Sequence, residues 1–377
     1  MGDKKGKVMS LSEKGDHLSV LFDDQIFNIQ RFGGISRYFC EVMTHIPMDY
    51  DVAVKYTDNY YLKEYRVDRH LKSVPHFIFN RLRKRLLLDN RALVKELLDT
   101  SSPCVFHPTY YDPYFLDYLN GHPYIITVHD MIHELFPGQF ADADKVIREK
   151  KETICHADRI IAISENTKKD IVNILNIAPE KIDVIYHGNS LHPSIHKNRL
   201  SLPPRYLLFV GDRTFYKNFS LLLRAFVQIR KQERGLILIC TGKPFSKGES
   251  EEMRQLDLSA SVLHVAAADS DLEELYGRAL LFIFPSLYEG FGLPILEAFA
   301  CGCPVALSNT SCFPEIAGDA GCYFDPHNLD SMVDSCLRLI NDDAECRRLV
   351  LRGKERLKLF SWNKTALQMV KVYQKFF

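Results

Sequence analysis

At 377 residues the chain is too long for one ordinary domain and comfortable for two. Its 48 basic residues balance 48 acidic ones, so no global field argues for a nucleic-acid partner, and hydrophobic and charged contents of 46% and 25% lie in the globular range. The start, Met1-Gly-Asp-Lys-Lys-Gly-Lys, is polar, and no apolar run reaches bilayer length. The expected location is therefore the cytoplasm. Ten cysteines without a Cys-x2-Cys pair read as reduced, mostly buried thiols rather than disulfides or a metal site.

Residues 1–16 read as a disordered polar tail. Leu18-Ser-Val-Leu-Phe22 is the first predicted strand. A loop from Asp23 to Phe32 leads to Gly33-Gly34 and a helix from about Ile35 to His45, with apolar residues at 35, 38, 39, 42 and 46. A strand is expected over 51–56. Residues 77–99 form a long amphipathic helix carrying Arg81, Arg83, Lys84 and Arg85 beside Leu86-Leu87-Leu88. A solvated outer face accounts for that cluster, and so does a patch that touches anionic lipid. Strands at 104–107, 124–128, 159–164 and 182–186 alternate with helices at 142–156 and 165–175, the latter capped by Ser164. Residues 190–204 lack periodicity, are rich in turn formers and read as a linker. The alternation restarts with strands at 206–210, 236–240, 261–265, 280–284, 304–307 and 321–324, and helices at 218–232, 249–257, 271–278, 294–301, 328–340 and 343–359. A last amphipathic helix covers 362–377. The fold class is α/β, with two doubly wound parallel-sheet domains at 17–195 and 204–361.

Such sheets bind ligands beyond the carboxyl ends of their strands, so the loops that follow strands are the places to search. The most informative is Pro285–Gly302. A buried run ends at Phe284, the chain turns on Gly290 and Gly292, and a helix opens at Pro294, a residue that suits the first turn because its missing N–H would have no partner there. Strand, glycine turn and helix N-terminus make an anion site. Glu289 and Glu297 beside it fit a ligand that also carries hydroxyl groups, which need acceptors. Gly33-Gly34 would let backbone approach a ligand before a helix. His129-Asp130 closes the strand at 124–128. Arg213 and Lys217 follow the strand at 206–210, where two solvated surface cations are the default reading without the fold context. Lys243 lies in the turn after the strand at 236–240. Asp142-x-Asp144 and Asp269-x-Asp271 match a bare metal-binding pattern, but the first lies in a helical stretch and the second precedes one, with Asp271 read as a helix start, where acidic residues are favoured, and neither is assigned to metal.

The stretch Glu289-Gly-Phe-Gly-Leu-Pro-Ile-Leu-Glu297 resembles the Glu-x7-Glu signature of retaining family-4 glycosyltransferases. Gly33-Gly-Ile-Ser-Arg-Tyr38 resembles the family's first glycine loop, and Gly211-Asp-Arg213…Lys217-Asn218 its cationic segment. The resemblance is strongest over 206–326. It implies a GT-B fold whose domains face a central cleft, with the last helix crossing back to the first domain. It implies a nucleotide-diphosphate sugar as donor, GDP-mannose foremost, and a saccharide or lipid-linked acceptor held by the first domain. No cofactor and no metal are implied. In this reading Arg213 and Lys217 stabilise the leaving diphosphate, Glu289 binds a sugar hydroxyl, and Glu297 takes the ribose hydroxyls. Backbone N–H groups of Phe291, Gly292 and Leu293 face the diphosphate. His129 contacts the sugar, either as a proton relay or purely by binding, Asp130 orients it or binds a hydroxyl, and the Lys243 turn meets the base. Two other readings stay open: an epimerase of the same fold and a non-catalytic nucleotide-sugar-binding protein.

Overall fold

The computed structural model describes residues 19–72, 74–191 and 200–376. The tail at 1–16 and most of the linker lie outside the described residues. The first domain carries strands β1 (Ser19–Phe22), β2 (Asp49–Val52), β3 (Val105–His107), β4 (Ile125–Val128), β5 (Arg159–Ala162) and β6 (Ile182–Val184). They pair in parallel as β2-β1-β3 and β4-β5-β6, and a single parallel bridge from Phe106 to Tyr124 joins the two pieces. The second domain has one six-stranded parallel sheet made of β7 (Tyr206–Phe209), β8 (Ile237–Cys240), β9 (Val262–His264), β10 (Leu281–Phe284), β11 (Val305–Ser308) and β12 (Cys322–Phe324). Its order, β9-β8-β7-β10-β11-β12, reverses direction between β7 and β10. That reversal is the topological switch point where doubly wound sheets hold ligands.

Both sheets are covered on both faces, which is why their strands read as continuous apolar runs. Tyr206, Leu208, Phe282 and Phe284 point to one core of the second domain, while Leu207, Phe209, Leu281 and Ile283 point to the other. In the first domain Val20, Phe22, Val105 and Ile125 alternate in the same way with Leu21, Phe106 and Ile126. The ten cysteines are free.

The strand expected over 51–56 is found two residues earlier. Asp49–Val52 pairs with β1, one more bond runs from the Ala53 N–H to the Phe22 carbonyl, and the chain then leaves the sheet. Asn90, buried on the long helix His76–Thr100, explains the exit: its Oδ1 accepts the N–H groups of both Lys55 and Tyr56 at 2.9 Å. The helix Trp362–Tyr373 lies on the first domain, where Trp362, Ala366, Met369 and Tyr373 join the core that holds Phe22 and Tyr38.

Candidate active site at the switch point

The loops after β7 and β10 meet directly, since the Leu287 N–H donates to the Tyr216 carbonyl at 2.7 Å. Lys217 stands between them. Its Nζ lies 2.6 Å from Glu289 Oε1 and above the rings of Tyr216 and Phe284 at 5.1 and 5.4 Å. Ser286 Oγ donates to the same Oε1 at 2.7 Å, so both donors fall on one oxygen. Burial alone would lower the Lys217 pKa, but the Glu289 carboxylate with Tyr216 and Asp212 outweighs it and holds the group above its ordinary value. The lysine is therefore a fixed cation at the switch point. Glu289 is pinned through its backbone as well, because its N–H and its carbonyl both bond to Ser311 Oγ, at 3.0 and 2.8 Å.

Next to this pair the helix Leu293–Ala300 begins, with Gly292 as its cap at φ 91°, a left-handed conformation open to glycine. Gly290 marks the approach of the two domains, for a Cβ there would lie 1.8 Å from the His129 carbonyl oxygen. The Gly290 carbonyl accepts Ser164 Oγ at 2.7 Å and Thr167 Oγ1 at 3.3 Å. Tyr288 accepts the Met131 N–H at 3.3 Å and donates to Asp170 at 2.7 Å. Phe291 is buried against His187, with ring centroids 4.6 Å apart. The glycine turn is thus built into the contact between the domains.

Glu297 points sideways from its helix, as a carboxylate must to avoid an anion at the helix start. Arg37 of the first domain reaches it at 3.1 Å, and Tyr276 donates to its other oxygen at 3.2 Å. Arg37 also touches Asp269 at 3.5 Å, and Tyr61 donates to the same Asp269 oxygen at 3.0 Å. Asp271 accepts the Ala268 N–H at 3.0 Å and so opens its helix, and Asp142 stands at the start of Ala143–His156.

His129 is 6% exposed, and its Nε2 has no partner among the described residues. Burial, with Lys150 nearby, pushes its pKa down to about 4 against the pull of Asp130, so the ring is neutral at pH 7. Asp130 accepts the Ile132 N–H at 3.1 Å. Burial works to raise its pKa, and Lys150 with that N–H and two histidines brings it below the usual value. Lys150 is buried and pairs with Glu134 at 3.1 Å and with Asp130 at 3.5 Å, which fixes the aspartate.

Other residues singled out in the sequence lie elsewhere. The Arg213 side chain is buried and turns toward the loop after β8. Its guanidinium donates to Glu249 at 2.7 Å, to the carbonyls of Thr241 and Pro244 at 2.8 and 3.2 Å, and to that of Lys243, with the Phe245 ring 4.8 Å away. Every one of these partners belongs to the protein. The Lys243 side chain is 81% exposed and pairs with Asp212 at 2.9 Å. Gly33 and Gly34 open the helix Gly34–His45, and the Gln30 side chain covers Gly33 and accepts the Ser36 N–H at 3.2 Å. Two residues the sequence reasoning passed over are central. Arg37 sits inside the quoted glycine motif. His187, at the end of the last first-domain strand region, is buried between Tyr38 and Phe291 with neither ring nitrogen partnered among the described residues. A search for polar residues just beyond strand ends could have found His187, whereas nothing local marks Arg37.

A family model described as Glycosyltransferase Family 4 matches residues 32–191, and one described as Glycosyl transferases group 1 matches residues 193–356. The O-antigen chain mannosyltransferase B of Escherichia coli is 29% identical over 290 residues, covering 72% of this chain and 74% of its own. Among solved structures, sucrose-phosphate synthase from Thermosynechococcus elongatus superposes with a TM-score of 0.73 at 19% identity, over 96% of this chain and 99% of that one. Anabaena HepE in complex with UDP and glucose gives 0.72 at 16% identity, over 95% and 100%. One family model falls on each domain, and the chain belongs to the group 1, family 4 glycosyltransferases of GT-B fold.

Proposed function

We propose that the protein transfers a hexose from a nucleotide-diphosphate sugar, GDP-mannose foremost, to a saccharide or lipid-linked acceptor, with retention of configuration and without a metal. The observation that carries this is the Lys217–Glu289 pair at the β7/β10 switch point, beside the start of the helix Leu293–Ala300. The lysine and the helix N-terminus stabilise the diphosphate as its charge grows. Glu289 has its Oε2 for a sugar hydroxyl. Glu297 takes the ribose, exchanging Arg37 for its hydroxyls. His129, neutral at working pH, offers Nε2 to the sugar as a binding group rather than a proton relay. Arg213 acts through position, tying the loop after β7 to the turn that meets the base. Mannose is favoured by the relative named for chain mannosyl transfer.

Among the described residues no helix is long and apolar enough to cross a membrane. Contact with a lipid surface is proposed for the helix His76–Thr100, where Phe77, Leu82 and Leu88 are exposed among Arg81, Lys84 and Arg85.

Calorimetry with GDP, UDP, ADP and dTDP tests the donor, followed by turnover of the matching sugar nucleotides with and without EDTA. Tightest binding of GDP, and transfer or hydrolysis of GDP-mannose that survives EDTA, are expected. Preference for another base overturns the GDP assignment, and abolition by EDTA overturns the metal-free one. An isomerised sugar nucleotide would identify an epimerase, and binding without turnover a non-catalytic protein.

A further inference from the structure

His187 follows β6 as a buried side chain, 4% exposed, and neither of its ring nitrogens has a partner among the described residues. Burial, with His129 and Arg37 nearby, holds its pKa well below the ordinary value, so the ring is neutral at pH 7. A neutral imidazole carries one donor and one acceptor. Buried groups of this kind are ordinarily satisfied, by protein, water or ligand.

The surroundings fix this ring in place. The rings of Tyr38 and Phe291 lie against it, each with its centroid 4.6 Å away and tilted by 35° and 33°, and Trp362 stacks at 5.8 Å. The backbone is held as firmly. The Ile185 N–H donates to the Ala162 carbonyl at 3.0 Å, and Thr365 Oγ1 donates to the Tyr186 carbonyl at 2.6 Å. A Cβ on Gly188 would lie 2.2 Å from the Trp362 backbone nitrogen, so the turn after His187 sits flush on the last helix. Phenylalanine would fill the same slot without unmet polar groups, so packing alone does not call for histidine.

His129 supplies a second unmet nitrogen close by. Its Nε2 is also buried without a partner among the described residues, and the two ring centroids are 6.2 Å apart with the rings at 62°. Ring nitrogens stand too near their centroids for a direct N–H···N bond across that gap. One oxygen fits between them, accepting from one ring and donating to the other. With both rings neutral, the pair suits a hydroxyl, which donates and accepts, better than an anionic oxygen, which only accepts. The pair also stands beside the start of the helix Leu293–Ala300. Phe291 packs on His187, and Gly290 packs on the His129 carbonyl. In the proposed reaction the diphosphate sits at that helix start, and the sugar it carries comes next to both imidazoles.

We propose that His187 is a sugar-binding residue of the donor site, and that it and His129 hold one hydroxyl of the transferred sugar between their rings. The assignment rests on the glycosyltransferase reading and adds a specificity-determining residue to it. A sugar lacking that hydroxyl would leave the buried nitrogens unmet, which is how a polar site rejects a deoxy analogue.

Calorimetry on the full chain tests it, comparing GDP-mannose with GDP and UDP-glucose with UDP. His187→Phe keeps a flat ring between Tyr38 and Phe291, and its melting temperature should equal or exceed that of the wild type. For the nucleotide that binds, the ratio of sugar-nucleotide to bare-nucleotide affinity should fall about tenfold in this variant, the order of one lost buried hydrogen bond. A purely structural histidine would not move that ratio, and an unchanged ratio would overturn the assignment. Histidine-labelled NMR on the wild-type chain gives a second readout that holds even if His187→Phe fails to fold. The ring signals of both His129 and His187 should shift with the sugar nucleotide and stay in place with the bare one. If the His187 signal answers to neither, the ring holds a water only and the proposal fails. Failure of these readouts with nucleotide binding intact defeats this proposal alone, whereas a wild-type chain that binds none of the nucleotides defeats the donor reading and this proposal with it.

Discussion

Single side chains decide the chemistry of the switch point. Lys217 is a cation held in place by Glu289 and two rings before any ligand arrives, so in the proposed reaction no reorganisation would be needed as charge develops on the leaving diphosphate. Lys217→Met is expected to lower kcat by about 10²–10³-fold, the range seen for a lost transition-state donor, and to lower the melting temperature as well, because Glu289 loses its ion partner. A rate within a factor of about 2–3 of wild type would remove the lysine from the mechanism. His129 yields a second prediction. Burial depresses its pKa to about 4, so its contribution to stability is complete above the unfolded value of 6.5 and is lost as the pH falls from there through 4. Histidine-labelled NMR should show no titration of this ring between about pH 5 and 8, and a midpoint near 6.5 would mean that the ring is solvated. The Lys217–Glu289 pairing was half legible in the sequence. Spacing identified two residues that follow strands, while their contact depended on β7 and β10 being neighbours in the sheet.

At the scale of elements, the long helix His76–Thr100 serves two surfaces at once. Arg83 donates to the Asn28 carbonyl at 2.6 Å and Arg91 pairs with Asp112, though both are exposed, and Phe77, Arg81, Leu82, Lys84, Arg85 and Leu88 are exposed as well. Basic residues beside exposed apolar ones suit an anionic interface, each worth about 1 kcal/mol near such a surface. The protein is expected to float with phosphatidylglycerol vesicles at low salt and not with phosphatidylcholine vesicles. Arg81→Glu with Leu88→Glu should abolish flotation and leave nucleotide binding intact, and undiminished flotation would assign the contact to another face. The helix itself was readable from its period. Which of its basic residues look inward was not, because that depends on where β1 and β3 stop and on the short helix Gln25–Ile29 that carries Asn28. The same holds for Arg213, whose guanidinium is held by three carbonyls of the loop after β8 and by Glu249 on the helix Lys247–Gln255 that follows.

At the scale of the whole molecule, Arg37 ties the domains together. It reaches from the first domain to Glu297 and Asp269 of the second, with its side chain 9% exposed and that of Glu297 7% exposed. Removing one partner from a buried pair commonly costs about 3–5 kcal/mol, because the other charge stays buried alone. Arg37→Met should therefore lower the melting temperature and, if the loss opens the domains, raise the radius of gyration measured by X-ray scattering. Wild-type values of both would show that Glu315 on the N–H groups of Glu165 and Asn166, and the Gly290 contacts, suffice to hold the domains together.

The sequence by itself determined most of the elements, the parallel strand pattern of the two domains and the glycine turn between Glu289 and Glu297. Those features depend on local signals: apolar runs of strand length, helical periodicity, and the glycines and proline between Glu289 and Glu297. The tertiary structure alone decided which charged groups meet. Arg37 and Glu297 are 260 residues apart in the chain, Asp24 lines a cavity with Arg91 of the long helix and Glu149 of a third element, and Arg213 chose between two loops. Pairings of that kind follow from strand order and domain contact, and no window of neighbouring residues carries that information.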